Sequence, residues 1–107
     1  MAWVWSLVDV AGTDVRELPP VTLMLLDDGS VSGVSGCDLY GAAHDVEGDA
    51  LVIRDAAAGD RRCDDQVMEL HQSYLSLLPL VDRVRLEDGL LVLRLAESDQ
   101  ALRFEER

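Results

Sequence analysis

Val31-Ser32-Gly33-Val34-Ser35-Gly36-Cys37-Asp38-Leu39-Tyr40-Gly41 is the stretch that decides the fold. Three of the chain's eight glycines fall within it, among β-branched and aromatic residues that suit extended backbone. Glycine inside such a run marks a strand that bends, or a place where one backbone passes close to another. The stretch therefore reads as extended chain turning a corner near Gly36-Cys37.

Hairpin patterns flank it. Upstream, residues 21–26 and 30–34 enclose Asp27-Asp28-Gly29; downstream, residues 42–46 and 50–53 enclose Glu47-Gly48-Asp49. Residues 2–10 alternate Trp3, Trp5 and Leu7 with Val4, Ser6 and Val8, a period of two with both faces partly apolar. Between that strand and the first hairpin lies a polar connection ending in Pro19-Pro20, which cannot donate ladder hydrogen bonds.

After a small, polar connection at 55–62 the period changes. From 64 to 78 the apolar residues fall at Val67, Leu70, Tyr74, Leu77 and Leu78, with Met68, His71 and Leu75 alongside, which is helical spacing with a broad stripe. Asp64 suits the N-cap, Asp65 and Glu69 suit the positive end of the helix dipole, and Pro79 stops the helix. Residues 83–86, a Glu87-Asp88-Gly89 turn, residues 90–95 and a last strand over 100–104 complete the chain. The expectation is one α+β domain over 1–107. Its mostly antiparallel, curved, barrel-like sheet of about eight strands wraps around or against a single helix at about 64–78.

Composition narrows the partners. The net charge is −12, from 14 aspartates and seven glutamates against nine arginines, with no lysine. Such a balance repels nucleic acid and anionic membrane. Arginine in every basic position fits a GC-rich genome or a surface adapted to salt. No apolar run approaches the roughly 18 residues of a membrane span, and Met1-Ala2-Trp3-Val4-Trp5 does not read as a signal peptide. The chain as given reads as cytoplasmic, or as exported or envelope-associated if a leader was trimmed.

Taken together, Trp5-Ser6-Leu7, Pro20-Val21-Thr22-Leu23, the Val31 to Gly41 segment, Cys63, Glu69, Tyr74 and Leu102-Arg103-Phe104 resemble the META domain family, which includes the bacterial heat-shock protein HslJ. The signature positions are Trp5, Gly33, Gly36, Cys37, Asp38, Tyr40, Gly41 and Cys63. The resemblance implies a compact antiparallel sheet wrapped around one helix, loose links to stress, envelope or secretion, and no established catalytic activity; no cofactor is expected. Two positions depart from the family's usual pattern: Asp38 stands where asparagine is usual after the first cysteine, and Gly59 where a threonine is usual shortly before the second. An ionised carboxylate only accepts hydrogen bonds, so Asp38 must face donors or shift its pKa upward.

Cys37 and Cys63 are the only cysteines. A bond between them closes a loop of about 27 residues, worth roughly 3.5 kcal/mol by chain entropy; reduced, they are two buried thiols filling space. Both readings stay open. Cys37, His44, Cys63 and His71 are the four softest ligands, but their spacing matches no zinc pattern, so no metal is expected. On that reading His71 sits at the edge of the helix stripe and His44 faces water.

Gly33-Val34-Ser35-Gly36 lacks the second spacing of a serine elbow, and no phosphate-binding loop is present. Asp27-Asp28 and Asp64-Asp65 are better explained as turn and cap residues than as catalytic pairs. Trp3 and Trp5 face one side of a strand, as core or as an apolar patch. The expected function is thus a non-catalytic, monomeric interaction or ligand-binding module for a protein or apolar ligand. The alternative is a small enzyme or enzyme inhibitor with a site near Asp38, Tyr40 and the Gly36-Cys37 backbone.

Overall fold

The structure is a computed structural model that describes residues 4–107. Eight antiparallel strands close into a barrel: β1 (Val4–Val10), β3 (Thr22–Leu25), β4 (Ser30–Val34), β5 (Leu39–Glu47), β6 (Ala50–Ala58), β7 (Val81–Glu87), β8 (Leu90–Leu95) and β9 (Ala101–Glu106). Pairing of β9 with β1 completes the circle, which removes the open edges a flat sheet would leave. A two-residue strand, β2 (Thr13–Asp14), adds to the end of β1. The expected pairing of Trp3 with Trp5 on one face lies outside the described residues.

Each hairpin read from its acidic turn is present, so β3–β4, β5–β6 and β7–β8 are all local pairs. Two boundaries differ most from the expectation. β5 begins at Leu39 instead of residue 42, and β6 continues to Ala58 through what reads as a connection. The register shift opposite Gly41 and Ala43, with Asp55 at φ 59°, places an extra residue on β6 and lets Ala57 and Ala58 go on pairing with Gly41 and Tyr40. Small residues there carry little strand signal of their own.

The helix α1 (Asp65–Leu77) starts where the cap is expected: the Asp64 side chain accepts from the Val67 amide at 3.0 Å. A 3-10 turn, Leu78–Leu80, follows and lies beside β6. β6 and β7 share a single ladder pair, Ala50 with Arg83, so the turn packs along the thinnest seam of the barrel.

α1 covers one end of the barrel, packing through Val67, Leu70, His71 and Tyr74. This is the end that carries the Ser35–Asp38 corner and the 11–21 connection. Tyr74 reaches furthest in, edge-on to Tyr40 and Phe104 with ring centroids 5.4 and 6.4 Å away. Leu23, Leu51, Ile53, Leu93 and Leu102 fill the rest of the interior. The opposite end is framed by the three acidic hairpin turns and the end of β9.

Candidate functional site

The corner of the signature is held from inside by Ser35. Its amide donates to the Asp38 carbonyl at 2.9 Å, and its hydroxyl lies 3.1 Å from the same oxygen. The Asp38 amide donates back to the hydroxyl at 3.2 Å. Gly36 takes φ 95° between them, a conformation that glycine adopts without strain. Nδ1 of His71, one helix turn from Met68 and Leu75, also contacts the Ser35 hydroxyl. Serine and histidine side by side resemble a nucleophile and its base, yet Ser35 has 0% of its surface exposed and its oxygen is engaged by the corner. The arrangement locks α1 to the β4–β5 corner.

A second buried link ties the same two elements. The Tyr40 hydroxyl donates to the Thr22 carbonyl at 2.8 Å and lies 2.6 Å from the Tyr74 hydroxyl. A carbonyl only accepts, so Tyr40 spends its proton on Thr22 and Tyr74 donates to Tyr40. Burial holds the Tyr40 phenol well above its usual range, and Tyr74 likewise, so both stay protonated. Gly33 makes room for this: a Cβ there would stand 2.2 Å from the Thr22 carbonyl oxygen and 2.9 Å from the Tyr40 ring.

Asp38 faces donors. Its carboxylate accepts from the Leu39 amide at 2.8 Å and the Arg61 amide at 3.1 Å. The Arg61 amide first, then the Leu39 amide, hold its pKa below the usual carboxylate value. Gly59 adjoins the same carboxylate with no room for a side chain. Cys37 and Cys63 are joined in the structure, their Cα atoms 5.9 Å apart, which pins the approach to α1 beneath the corner.

The four soft ligands do not converge. The two cysteines bond each other, and among the described residues no three of His, Cys, Asp and Glu come together. His44 does not face water as expected; it is 9% exposed. β5 begins at Leu39, and its alternation sends Tyr40, Ala42 and His44 inward, opposite the buried Ile53. Asp28 accepts from the Ser30 hydroxyl and amide at 2.6 and 2.9 Å, and Asp64 caps α1, so both acidic pairs serve turns and caps.

Sequence reasoning missed a surface beside the helix. An open cleft of about 270 Å³ runs between α1 and the 10–18 segment, with Val10, Val15, Leu18 and Leu70 as its apolar wall and Gln66 and Glu69 at its rim. The 11–18 residues read as plain connection because their apolar members, Val15 and Leu18, follow neither strand nor helix period. Among the described residues, no helix is long and apolar enough to cross a membrane.

A family model described as the META domain matches residues 2–107. No curated protein matches the chain. An NMR structure of a protein from Burkholderia xenovorans superposes with a TM-score of 0.75 at 25% identity, covering 99% of this chain and 81% of that one. A second NMR structure gives a TM-score of 0.73 at 21% identity, covering 96% and 87%, a likeness of fold alone.

Proposed function

This chain belongs to the META domain family, and from that premise we propose that it acts as a non-catalytic interaction or ligand-binding module associated with stress or the cell envelope. One observation carries the reading: the polar side chains of the signature are spent on one another and on backbone. Ser35 is fully buried against His71 and Asp38, Tyr40 is committed to Thr22, and Asp38 to two amides. Ser35 and Tyr40 are buried with no donor or acceptor open to a substrate, and Asp38, ionised and bound by two amides, has no proton to give. The stress and envelope setting rests on the likeness of the signature to HslJ-like proteins.

On this reading the cleft beside Leu70 takes an apolar ligand, and the outer surface takes protein. The Cys37–Cys63 bond is a staple for the corner, and the −12 charge keeps the molecule monomeric. A serine-directed fluorophosphonate tests the non-catalytic claim. The native protein should remain unlabelled after long exposure. Stoichiometric labelling that disappears in Ser35→Ala would overturn the reading and restore a small enzyme centred on the Asp38 and Tyr40 corner.

A further inference from the structure

The barrel end away from α1 differs in chemistry from the rest of the surface. Its three hairpin turns carry Asp27-Asp28, Glu47 with Asp49, and Glu87-Asp88, and β9 ends there in Glu105-Glu106. These eight carboxylates stand around the mouth of the barrel. Among the described residues, Asp49 alone of the eight has an arginine partner, Arg83 at 3.2 Å. Asp28 is held below the usual carboxylate range by the Ser30 hydroxyl and then the Ser30 amide, so it stays charged.

Within that ring the mouth is apolar. Val46 lies directly across from the fully buried Leu51, and Leu86 across from the buried Leu91, so both point to the inside of the barrel. Yet Val46 is 56% and Leu86 70% exposed. Half-buried Trp5 and Leu25 stand on the inward face at the same end, opposite or beside the buried Leu23. One alternation deeper than Val46 sits His44, buried, with an Nδ1 that meets no hydrogen-bond partner among the described residues. A buried polar atom without a partner costs stability unless something outside the described chain satisfies it.

We infer that this mouth is a docking site for a basic polypeptide segment that places an apolar side chain against Val46 and Leu86 and a hydrogen-bonding group within reach of His44. The inference rests on the reading of the domain as an interaction module. Charge complementarity selects the occupant: seven of the eight carboxylates lack an arginine partner among the described residues, and they attract arginine and lysine while repelling a second mouth of this chain. Spread selects a polypeptide. Eight strands at ordinary spacing and tilt make an opening on the order of 15 Å across, which an extended segment of about five residues spans. A small cation reaches one turn.

Isothermal titration and amide NMR of the whole chain test this with acetylated (Arg-Leu)₄ as the probe and (Arg-Ser)₄ as its charge-only counterpart. (Arg-Leu)₄ should bind at least tenfold more tightly. Its shifts should be confined to 27–30, 46–50, 86–90, the end of β9 and the His44 imidazole. Val46→Ser with Leu86→Ser should remove the tenfold margin, whereas Leu39→Ser, an exposed leucine at the other end, should leave it. Glu87→Gln with Asp88→Asn, a second variant confined to a surface turn, should weaken both peptides. Equal affinity for the two peptides, shifts spread over the surface, or a margin that survives the Val46 and Leu86 changes would overturn the proposal. So would a single-chain cationic detergent binding the mouth as tightly as the peptide. Binding confined to the cleft beside Leu70 would refute this docking site while leaving the module reading intact; labelling of Ser35 would refute that reading.

Discussion

A Cβ placed on Gly59 would lie 2.1 Å from Oδ2 of Asp38 and 2.8 Å from its Cγ. The two positions where this chain departs from its family's usual pattern are thus in contact, and the carboxylate at one requires the missing side chain at the other. Gly59→Ala should push the Asp38 carboxylate off the Arg61 amide and lower the urea midpoint of unfolding. In a double-mutant cycle, Asp38→Asn with Gly59→Thr should be less destabilising than the sum of the single changes. Strict additivity would sever the link.

The Asp38 carboxylate also makes a pH prediction. Because the Arg61 and Leu39 amides depress its folded pKa, its contribution is present above the unfolded carboxylate value of about 3.9. It is lost as pH falls through the lower folded value. Asp38→Asn has one oxygen for two amides and melts lower than the native chain at neutral pH. The gap in melting temperature should stay constant down to about pH 5 and shrink on further acidification. A gap that widens in acid would mean that the amides do not read the charge.

How much was legible in the sequence depended on the range of the interaction. Turns such as Glu87-Asp88-Gly89 and the Asp64 cap are written in neighbouring residues, so hairpins and helix are where the pattern puts them. The inward turn of His44 was hidden because the glycines after Val34 obscure where β5 begins and so the phase of its alternation. Ser35 and His71 are 36 positions apart, and nothing local to either announces the other. The barrel mouth was unreadable for the same reason: its three acidic turns lie far apart in the chain, and only closure arranges them around one opening.

The two buried tyrosines should be unequal. Tyr74→Phe removes one hydrogen bond and leaves Tyr40 donating to Thr22, a loss of about 1 kcal/mol. Tyr40→Phe leaves the Thr22 carbonyl and the Tyr74 hydroxyl both without the partner they have now, and should cost about 2–4 kcal/mol. Chemical denaturation of the two variants decides it; the reverse order would contradict the proton assignment.

Reduction of the Cys37–Cys63 bond should leave a folded protein that is less stable by roughly 3.5 kcal/mol, the chain-entropy value for a loop of about 27 residues. Melting with and without dithiothreitol measures it. Two thiols titrating in unreduced, denatured protein made under oxidising conditions would show that the pair does not form.

The central claim is that the glycine-cysteine signature is spent on holding the fold, and native-state hydrogen exchange at the corner tests it most directly. If Ser35 and Asp38 lock β4, β5 and α1 together, their amides should exchange only through global unfolding, with protection equal to that of Leu93 and Leu102 in the core. Exchange of the Ser35 and Asp38 amides through low-energy local opening, as for a mobile binding loop, would contradict the account.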